Sequence, residues 1–366
     1  MKVFFSKNEL LKGVQIAQDV VNSKATLPIL SNFLLETQDG GVKITATDLD
    51  LGVLIHIPAK IEREGSITIP AKKFADIIKE LPEGDFLLEI QKNNQVVIDA
   101  KPCFFKLLGL PKDEFPIPPK PSKNEKLVIE QAVFKQMLKL TSFAVSRDET
   151  RYVLNGIFFK AVGEFLELAA TDGRRLAVVK EKVSIPKGMI KEIIVPLKTI
   201  NELNRVLQDN GNVEILFSEN QVCFDLENIR IISRVIEGEF PNYTNVIPKE
   251  SKEKIILDKG RFFEALRRIN LLTSPDSPSV KIDVFKNKII ISKSTPEFGN
   301  GQDVVDLAEE YTGKELSVGF NPIYLMDVFK NTTESSISLE LSAGDKPGVI
   351  RFGTQYTYVV LPMQTV

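Results

Sequence analysis

The chain carries few of the residue combinations from which an active site is built. It has one histidine, His56, inside the alternating run VLIHIPAKI, which excludes a multi-histidine metal site and leaves one candidate imidazole for nucleophilic catalysis. Two cysteines, Cys103 and Cys223, stand in separate strand-like runs without the C-x-x-C spacing of a thiolate metal site. We therefore expect His56 on a strand surface and both cysteines as reduced core thiols.

A carboxylate pair is the remaining route to catalysis, with Asp172 acting beside Asp148 or Glu149. Such a hydrolase needs one carboxyl group of raised pKa and a substrate cleft. Asp172 recurs as Asp48 at a matching place earlier in the chain, which favours a shared turn or cap over chemistry. Neither G-x-x-x-x-G-K-[ST] nor G-x-G-x-x-G occurs. The sequence predicts a non-catalytic protein with no cofactor and no metal.

Length and composition describe an ordinary globular protein of two or three domains. The chain has 366 residues, of which 43% are hydrophobic and 26% charged, and its net charge is −2. Its apolar runs are far shorter than the roughly 20 residues that cross a bilayer, and the charged N-terminal segment does not resemble a signal peptide. We expect a cytoplasmic protein without a membrane contact.

A long internal repeat organises the chain. A strand followed by an amphipathic helix begins at Lys2, Lys126 and Lys254, and these starts are 124 and 128 residues apart. A strand that ends in a polar turn recurs in KITATDLDLGV, LELAATDGRRLAVV and KIIISKSTPEFG, where Thr295 takes the place of Asp48 and Asp172. Two more landmarks follow in the same order, at Pro70, Pro196 and Phe320 and at Pro116, Pro241 and Pro362. The chain is predicted to hold three copies of one domain.

Proline and charge replace the apolar periodicity at the two junctions, PIPPKPSKNEK and PNYTNVIPKESKEK. We place the domains at 1–122, 123–251 and 252–366. Each copy contains two helices with one apolar stripe and several alternating strands, so the predicted fold is α+β, two helices laid on antiparallel sheet.

The predicted helices are basic although the chain is acidic. Six helix windows carry 15 Lys and Arg against 8 Asp and Glu, a charge of +7, which leaves −9 for the rest of the chain. Such a distribution can hold a polyanion on the helix faces, and solvated helix faces remain the alternative. Because no recognition helix, zinc finger or aromatic RNA-binding patch is present, nucleic acid would be contacted at phosphates, independently of sequence.

With its repeats, the chain resembles the bacterial DNA polymerase III β subunit family, the sliding clamps. The resemblance covers the whole chain and is most specific in LPILSNFLLE, RYVLNGIFFK, ATDGRRLA, GEFPNY and YVVLPM. It implies a head-to-tail homodimer of three-domain protomers, closed into a ring with helices lining the hole. It also implies a processivity function: the ring encircles double-stranded DNA and tethers the polymerase III catalytic subunit, after an ATP-driven clamp loader has placed it there.

The resemblance further implies a pocket for short linear motifs of the polymerase, the clamp loader and other clamp-binding proteins. Matched position by position, the pocket comprises Leu154, Thr171, Gly173, Arg174, Arg175, Leu176, Pro241, Val246, Tyr324, Val359, Val360, Leu361, Pro362 and Met363. Arg174 stands where the family often has histidine, and Asn245 replaces a common basic residue. The tail ends in Gln364-Thr365-Val366, where the family frequently has a basic residue and leucine. The preferred motif is therefore expected to differ.

The Arg174-Arg175-Leu176 run occurs in the second copy alone, which is where specialised function is expected; two solvated arginines are the alternative. The apolar tail, Val359 to Met363, is expected to bind something if it is not buried. The DNA-facing candidates are Lys12, Lys24, Lys72, Lys73, Lys135, Lys139, Lys198, Arg205, Arg261, Arg267 and Arg268, with Arg151 and Tyr152 at the edge of the hole.

At the ring joint the resemblance points to Phe105, Leu271 and Leu272, for which ordinary core packing is the alternative. A repeat scaffold that binds only proteins is the main competing function. Such a scaffold would show no salt-dependent interaction with duplex DNA.

Overall fold

A computed structural model describes residues 1–21, 27–118, 126–248, 254–353 and 355–364. The three repeats appear in it as three similar runs of strands and helices. The first repeat contains β1 (Lys2–Ser6), α1 (Lys7–Gln18), β2 (Asn32–Gln38), β3 (Gly41–Thr47), β4 (Leu51–Pro58), β5 (Lys60–Arg63), β6 (Ser66–Pro70), α2 (Ala71–Glu80), β7 (Asp85–Ile90), β8 (Gln95–Ala100) and β9 (Cys103–Leu108).

The second and third repeats follow the same order. In the second, the counterpart of β5 is reduced to an isolated bridge between Val128 and Ser184, and the described residues of the third contain no such strand. The second contains β10 (Lys126–Glu130), α3 (Gln131–Ser142), β11 (Gly156–Val162), β12 (Phe165–Thr171), β13 (Arg175–Lys182), β14 (Ile190–Pro196), α4 (Leu197–Val206), β15 (Asn212–Phe217), β16 (Gln221–Leu226) and β17 (Ile229–Arg234). The third contains β18 (Lys254–Asp258), α5 (Lys259–Ile269), β19 (Val280–Val284), β20 (Lys288–Thr295), β21 (Gly299–Asp306), β22 (Leu316–Phe320), α6 (Pro322–Asn331), β23 (Ser336–Glu340), β24 (Gly348–Phe352) and β25 (Tyr356–Val360).

The strands form four antiparallel sheets, and neighbouring repeats share two of them. The orders are β5-β1-β7-β8-β9, β10-β15-β16-β17-β4-β3-β2-β6, β14-β11-β12-β13-β25-β24-β23-β18 and β21-β20-β19-β22. Each eight-stranded sheet has one joint at which two repeats meet, β17 with β4 and β13 with β25. The predicted α+β class with antiparallel sheet is thus confirmed, and the last strand of one repeat pairs with the preceding repeat.

The chain divides into two compact units that do not coincide with the repeats. One unit comprises 1–135, 183–189 and 198–235, and the other 136–182, 190–197 and 236–366. The second repeat contributes strands to both units because each half of it extends a neighbour's sheet. The predicted junctions at 122 and 251 lie outside the described residues.

Side-chain caps and a tightened last turn account for the ends of three helices. Asp258 accepts a hydrogen bond from the Arg261 backbone N–H at 2.8 Å, and Asn321 accepts one from Ile323 at 3.0 Å, so both side chains cap helix N-termini. The first helix is shorter than its predicted window of 7–24. It ends at Gln18 because Val20 and Val21 donate to the third residue before them, the tighter pattern of a fraying turn.

The two cysteines, both predicted to be core thiols, lie in different environments. Cys223 is buried, and burial raises the pKa of its thiol to about 12, as a core thiol requires. The prediction for Cys103 is wrong: it is only half-buried, because β9 is the edge strand of its sheet. In the described ranges no helix is long and apolar enough to span a membrane. The same residues contain no group of three or more His, Cys, Asp and Glu that could hold a metal ion.

Candidate functional site

The polar turn between β12 and β13 is fixed by side chains that bond its own backbone. Asp172 Oδ1 accepts from the Arg174 and Arg175 N–H groups at 2.9 and 3.1 Å, and Thr171 Oγ1 accepts from the Gly173 N–H at 3.0 Å. The first repeat has the same turn, in which Asp48 Oδ1 accepts from Asp50 and Leu51. The predicted shared turn role of Asp48 and Asp172 is confirmed.

Arg175 is held by this turn and is not a solvated surface arginine. Its Nε donates to Asp172 Oδ2 at 3.0 Å, Nη1 to Asp327 Oδ2 at 2.7 Å and Nη2 to the Phe143 carbonyl at 2.5 Å. The guanidinium carbon also lies 4.4 Å from the centre of the Tyr324 ring. The side chain of Arg175 is only 10% exposed, and its ion pair with Asp327 ties the turn to α6.

A cavity of about 430 Å³ opens beside the turn. Its walls include buried Leu154, Leu176 and Val359, while Val246 and Leu361 remain 56% and 43% exposed. A mostly apolar concavity with exposed apolar edges is typical of a site for another molecule's apolar side chains. The site therefore offers buried apolar area with few hydrogen-bonding groups.

The wall opposite the turn comes from the segment that follows Phe240. Phe240 stacks on Phe158 with ring centres 5.0 Å apart, and the Tyr243 hydroxyl donates to Glu167 Oε1. Burial, together with the hydrogen bond to Glu167, raises the pKa of Tyr243 well above its usual range. These contacts hold Pro241 and Val246 against the cavity.

Ten of the fourteen residues predicted for the pocket line this cavity: Leu154, Thr171, Gly173, Arg174, Arg175, Leu176, Pro241, Val246, Val359 and Leu361. The other four do not. Val360 is fully buried on the opposite face of β25, as strand alternation requires, and Tyr324 contacts Arg175 behind the cavity. Pro362 and Met363 follow the strand, where the Met363 N–H donates to the Gly319 carbonyl at 2.8 Å.

Three lining residues were missed by the sequence reasoning, Asn242, Tyr243 and Pro347. Asn242 and Tyr243 lie within the GEFPNY motif, so that motif could have supplied them. Pro347 precedes β24 and reaches the cavity only through the sheet, a long-range contact that no local pattern signals.

The tail begins as part of the sheet, and it was expected to bind something only if it is not buried. Val359 and Val360 are buried in β25, which pairs with β13 and β24. Only Leu361 remains substantially exposed, and its N–H donates to the Arg174 carbonyl at 2.9 Å. The tail therefore gives the cavity one buried wall residue, Val359, and one exposed edge residue, Leu361.

The first repeat has a smaller cavity at the matching place. Its 250 Å³ are lined by residues that include Leu49, Asp50, Gly52 and Arg234, which occupy the positions of Gly173, Arg174, Leu176 and Leu361. A Cβ atom at Gly52 would lie 2.7 Å from Pro118 Cγ, so Pro118 occupies the space that a larger side chain would need. The repeat scaffold therefore forms a cavity beside both turns, and the one in the second unit is the larger of the two.

The proposed carboxylate pair lacks the features of a catalytic one. Both oxygens of Asp172 already accept hydrogen bonds, from the turn and from Arg175. The Thr150 hydroxyl and N–H lower the pKa of Asp148, which is the opposite of what a general acid needs. The geometry opposes a hydrolase built on Asp172.

The predicted DNA-facing cations fall into two groups. In the first group, ion pairs join Lys12 to Glu9, Lys135 to Asp209, Lys198 to Asp48, Arg205 to Asp19, Arg267 to Glu264, Arg268 to Asp303 and Arg151 to Asp148. Lys72, Lys73, Lys139 and Arg261 are exposed and have no ion pair within the described ranges. Tyr152 is 59% exposed, and Lys24 lies outside the described residues.

The residues predicted for the ring joint are at the surface. Leu271 is 79% exposed and Phe105 36%, while Leu272 is half-buried beside Gly301 of β21. Ordinary core packing, the alternative for these residues, does not apply to Leu271. Phe105 lies on the edge strand β9, next to Phe104, which is 64% exposed.

Comparisons with known proteins match the chain throughout. Family models described as the N-terminal, central and C-terminal domains of the DNA polymerase III beta subunit match residues 1–119, 128–242 and 244–364. The beta sliding clamp of Chlamydia pneumoniae is 30% identical over all of this chain and 99% of its own length.

Two solved structures have the same fold. The DNA polymerase sliding clamp of Bacillus subtilis superposes with a TM-score of 0.95 at 31% identity, over the full length of both chains. The DNA polymerase III subunit beta of Pseudomonas aeruginosa, a sliding clamp solved bound to griselimycin, gives 0.95 at 28% identity, over all of this chain and 99% of that one.

Proposed function

The chain belongs to the DNA polymerase III beta subunit family, the sliding clamps, and on that premise we propose that two copies close head to tail around duplex DNA. The ring tethers the replicative polymerase and has no catalytic activity of its own. The proposed place of action is the cytoplasm. A closed ring cannot leave DNA sideways, so processivity comes from topology and not from tight contacts.

The pattern of sheet joints is the observation that carries this proposal. Within the chain, β17 pairs with β4 and β25 pairs with β13, so the last strand of a repeat joins the matching strand of the repeat before it. Strand β9 is the last strand of the first repeat, so by this rule it should pair with the strand of another repeat that corresponds to β4 and β13. In the third repeat that strand is β21. Both β9 and β21 are edge strands, and a second copy of the chain supplies the missing pairing.

The two edges are complementary in charge and in apolar surface. Strand β9, CFFKLL, carries one lysine and no acid, whereas β21, GNGQDVVD, carries two aspartates. Exposed Phe104 and Leu108 on β9 would be covered in the joint, as would Leu271 beside β21. We place Phe105, Leu271 and Leu272 in this interface.

The helices supply the proposed DNA-facing surface. Within their observed bounds the six helices carry 14 Lys and Arg against 6 Asp and Glu, so the basic excess does not depend on the predicted windows. Lys72, Lys73, Lys139 and Arg261 are the cations best placed to meet phosphate because no carboxylate of the described residues pairs with them. Contacts to phosphate alone leave the ring free to slide over any sequence.

Loading the ring on circular DNA tests the topological proposal. On a nicked plasmid, with the clamp loader of its own source and ATP, the protein should co-elute with DNA during gel filtration at 0.3 M salt. Cutting the plasmid once should release most of it, because the ring slides off the new ends. Equal retention on circular and linear DNA would contradict encirclement, and no retention on either would favour the scaffold that binds only proteins.

Two matched variants extend the same experiment to the phosphate face. Serine at Lys72, Lys73, Lys139 and Arg261 should reduce the amount loaded several-fold and flatten its salt dependence, since each lost phosphate contact removes about 0.9 from the log–log slope. Serine at the ion-paired Lys12, Lys135, Lys198 and Arg205 should do less, because each removal also frees a carboxylate.

The cavity of the second unit is the proposed docking site for the polymerase, the clamp loader and other partners. Its exposed apolar edges suit the apolar side chains of a short linear peptide. Leu361 is the residue of choice for a test because it lines the cavity yet follows the last strand, so replacing it leaves β25 intact.

Leu361→Asp should weaken binding of a labelled Gln-Leu-Ser-Leu-Phe peptide at least tenfold in fluorescence anisotropy, since a charge would be desolvated against the apolar ligand. Ile323→Asp is the matched control: Ile323 is 47% exposed on α6 and does not line the cavity. An equal loss in both variants, or none in Leu361→Asp, would exclude this cavity as the docking site.

A further inference from the structure

The mouth of the second-unit cavity carries a cation that the fold does not use. Among the described residues that line it, Arg174 and Arg175 are the only charged ones, and no aspartate or glutamate is present. The charge of Arg175 is balanced by Asp172 and Asp327. Among the lining residues, the charge left available to an incoming peptide is therefore that of Arg174. Arg151, whose Nη1 lies beside Gly173, is already paired with Asp148.

The backbone of Arg174 is fixed while its side chain is exposed. Its N–H donates to Asp172 Oδ1 at 2.9 Å and its carbonyl accepts from the Leu361 N–H at 2.9 Å, which holds the residue between the turn and the tail. The guanidinium has no hydrogen bond or ion pair within the described part of the chain. Asp172, the nearest carboxylate in sequence, is bonded through both oxygens already.

The matching turn of the first repeat shows that the scaffold does not need this cation. Asp50 takes the place of Arg174 there, and its N–H makes the same bond, to Asp48 Oδ1 at 3.1 Å. A turn that forms equally well around an acidic and a basic residue leaves the side chain free for recognition. The arginine is therefore available to select the ligand.

We propose that Arg174 makes the pocket prefer linear peptides that carry a carboxylate beside their apolar side chains. The inference rests on the proposed peptide-docking function of the cavity. A guanidinium binds a carboxylate through charge-assisted hydrogen bonds, and the apolar walls beside it strengthen that bond by excluding water. Arg174 is a specificity-determining residue in this proposal, while the apolar side chains supply most of the affinity.

Isosteric peptide pairs test the preference. The probes are acetylated, amidated and labelled Gln-Leu-Asp-Leu-Phe and Gln-Leu-Asn-Leu-Phe, and a second pair with Asp or Asn placed directly before the glutamine of Gln-Leu-Ser-Leu-Phe. With the full-length protein at 0.1 M salt, the acidic member of at least one pair should bind about three- to tenfold more tightly. The ratio should shrink at 0.5 M salt.

Two substitutions at Arg174 and one control assign the effect. Arg174→Ser should bring the ratio close to one, and Arg174→Glu should reverse it. Lys286→Ser removes one exposed positive charge outside the cavity and should retain the wild-type ratio.

The possible results distinguish a failure of the preference assigned to Arg174 from a failure of the proposed docking site. Equal binding of Asp and Asn peptides in both pairs overturns the preference but leaves the docking site standing, provided that Leu361→Asp abolishes binding. A ratio that persists in Arg174→Ser overturns the role of Arg174. If no peptide binds the wild-type protein, both the docking site and the preference are wrong.

Discussion

Replacing Arg175 by alanine should destabilise the second unit by about 3–5 kcal/mol, the usual cost of removing one partner from a buried ion pair. Asp172 and Asp327 would each lose a charge-assisted hydrogen bond with only 18% and 22% of their side chains exposed. The Phe143 carbonyl and the Tyr324 ring would lose their cation as well. The turn that forms one wall of the cavity would no longer be tied to α6.

Hydrogen exchange resolved by mass spectrometry measures this loss where it occurs. Amides of β13 and β25 should exchange on the order of 10²- to 10³-fold faster, while the sheet that contains β4 and β17 is unaffected. Arg174→Ala is the matched control, because its exposed side chain makes no ion pair within the described residues, and it should leave exchange within about twofold.

A second set of variants separates lost attraction from exposed charge. Converting Asp172 and Asp327 to asparagine in the Arg175→Ala background should recover part of the stability, because no uncompensated carboxylate then remains. Little change in Arg175→Ala alone would show that Arg175 belongs to the solvated surface after all.

The repeat could be predicted from the sequence because its landmarks recur at a regular spacing along the chain. Landmarks near 125 residues apart located all six helices, and the recurrence of Asp48 at Asp172 identified the turn. The partners of Arg175 were not readable: Asp327 is 152 residues away and Phe143 contributes a backbone carbonyl. Contacts of this kind depend on how the sheet brings α6 to the turn, which no local pattern encodes.

The errors arose where sheet position outweighs residue type. Cys103 was predicted to be a core residue yet stands on an edge strand, and Val360 was predicted to line the pocket yet is buried on the other face of β25. Leu271, in contrast, is a large apolar residue that is 79% exposed, which excludes the core-packing alternative and agrees with its predicted place at the ring joint. Hydropathy predicts that such residues will be covered, whereas strand order decides whether this chain or another copy covers them.

The unpaired edges make the ring joint the most sensitive point of the proposed assembly. In a closed ring of two identical chains, β9 of each copy meets β21 of the other, so the joint occurs twice. A single substitution therefore alters both joints, and the free energy of dimerisation changes by twice the amount expected for one joint. This doubling distinguishes a closed ring from an open chain of copies.

Leu271→Asp should consequently abolish the dimer at micromolar concentration. Removing one well-packed apolar contact from an interface costs about 2 kcal/mol at a central position, so two joints give about 4 kcal/mol, or roughly a thousandfold in the dissociation constant. Sedimentation velocity should show wild-type protein at twice the 41.0 kDa of the chain and the variant at the mass of one chain.

Ile190→Asp is the matched control for this loss. Ile190 is 67% exposed at the other kind of edge, on β14, which has no counterpart among the paired joints, so its variant should remain dimeric. If Leu271→Asp stays dimeric while a substitution at Ile190 dissociates the protein, the copies meet through β14, and the rule drawn from the internal joints does not extend between chains. If the loss in Leu271→Asp is tenfold to a hundredfold, one joint per dimer is broken and the assembly is open.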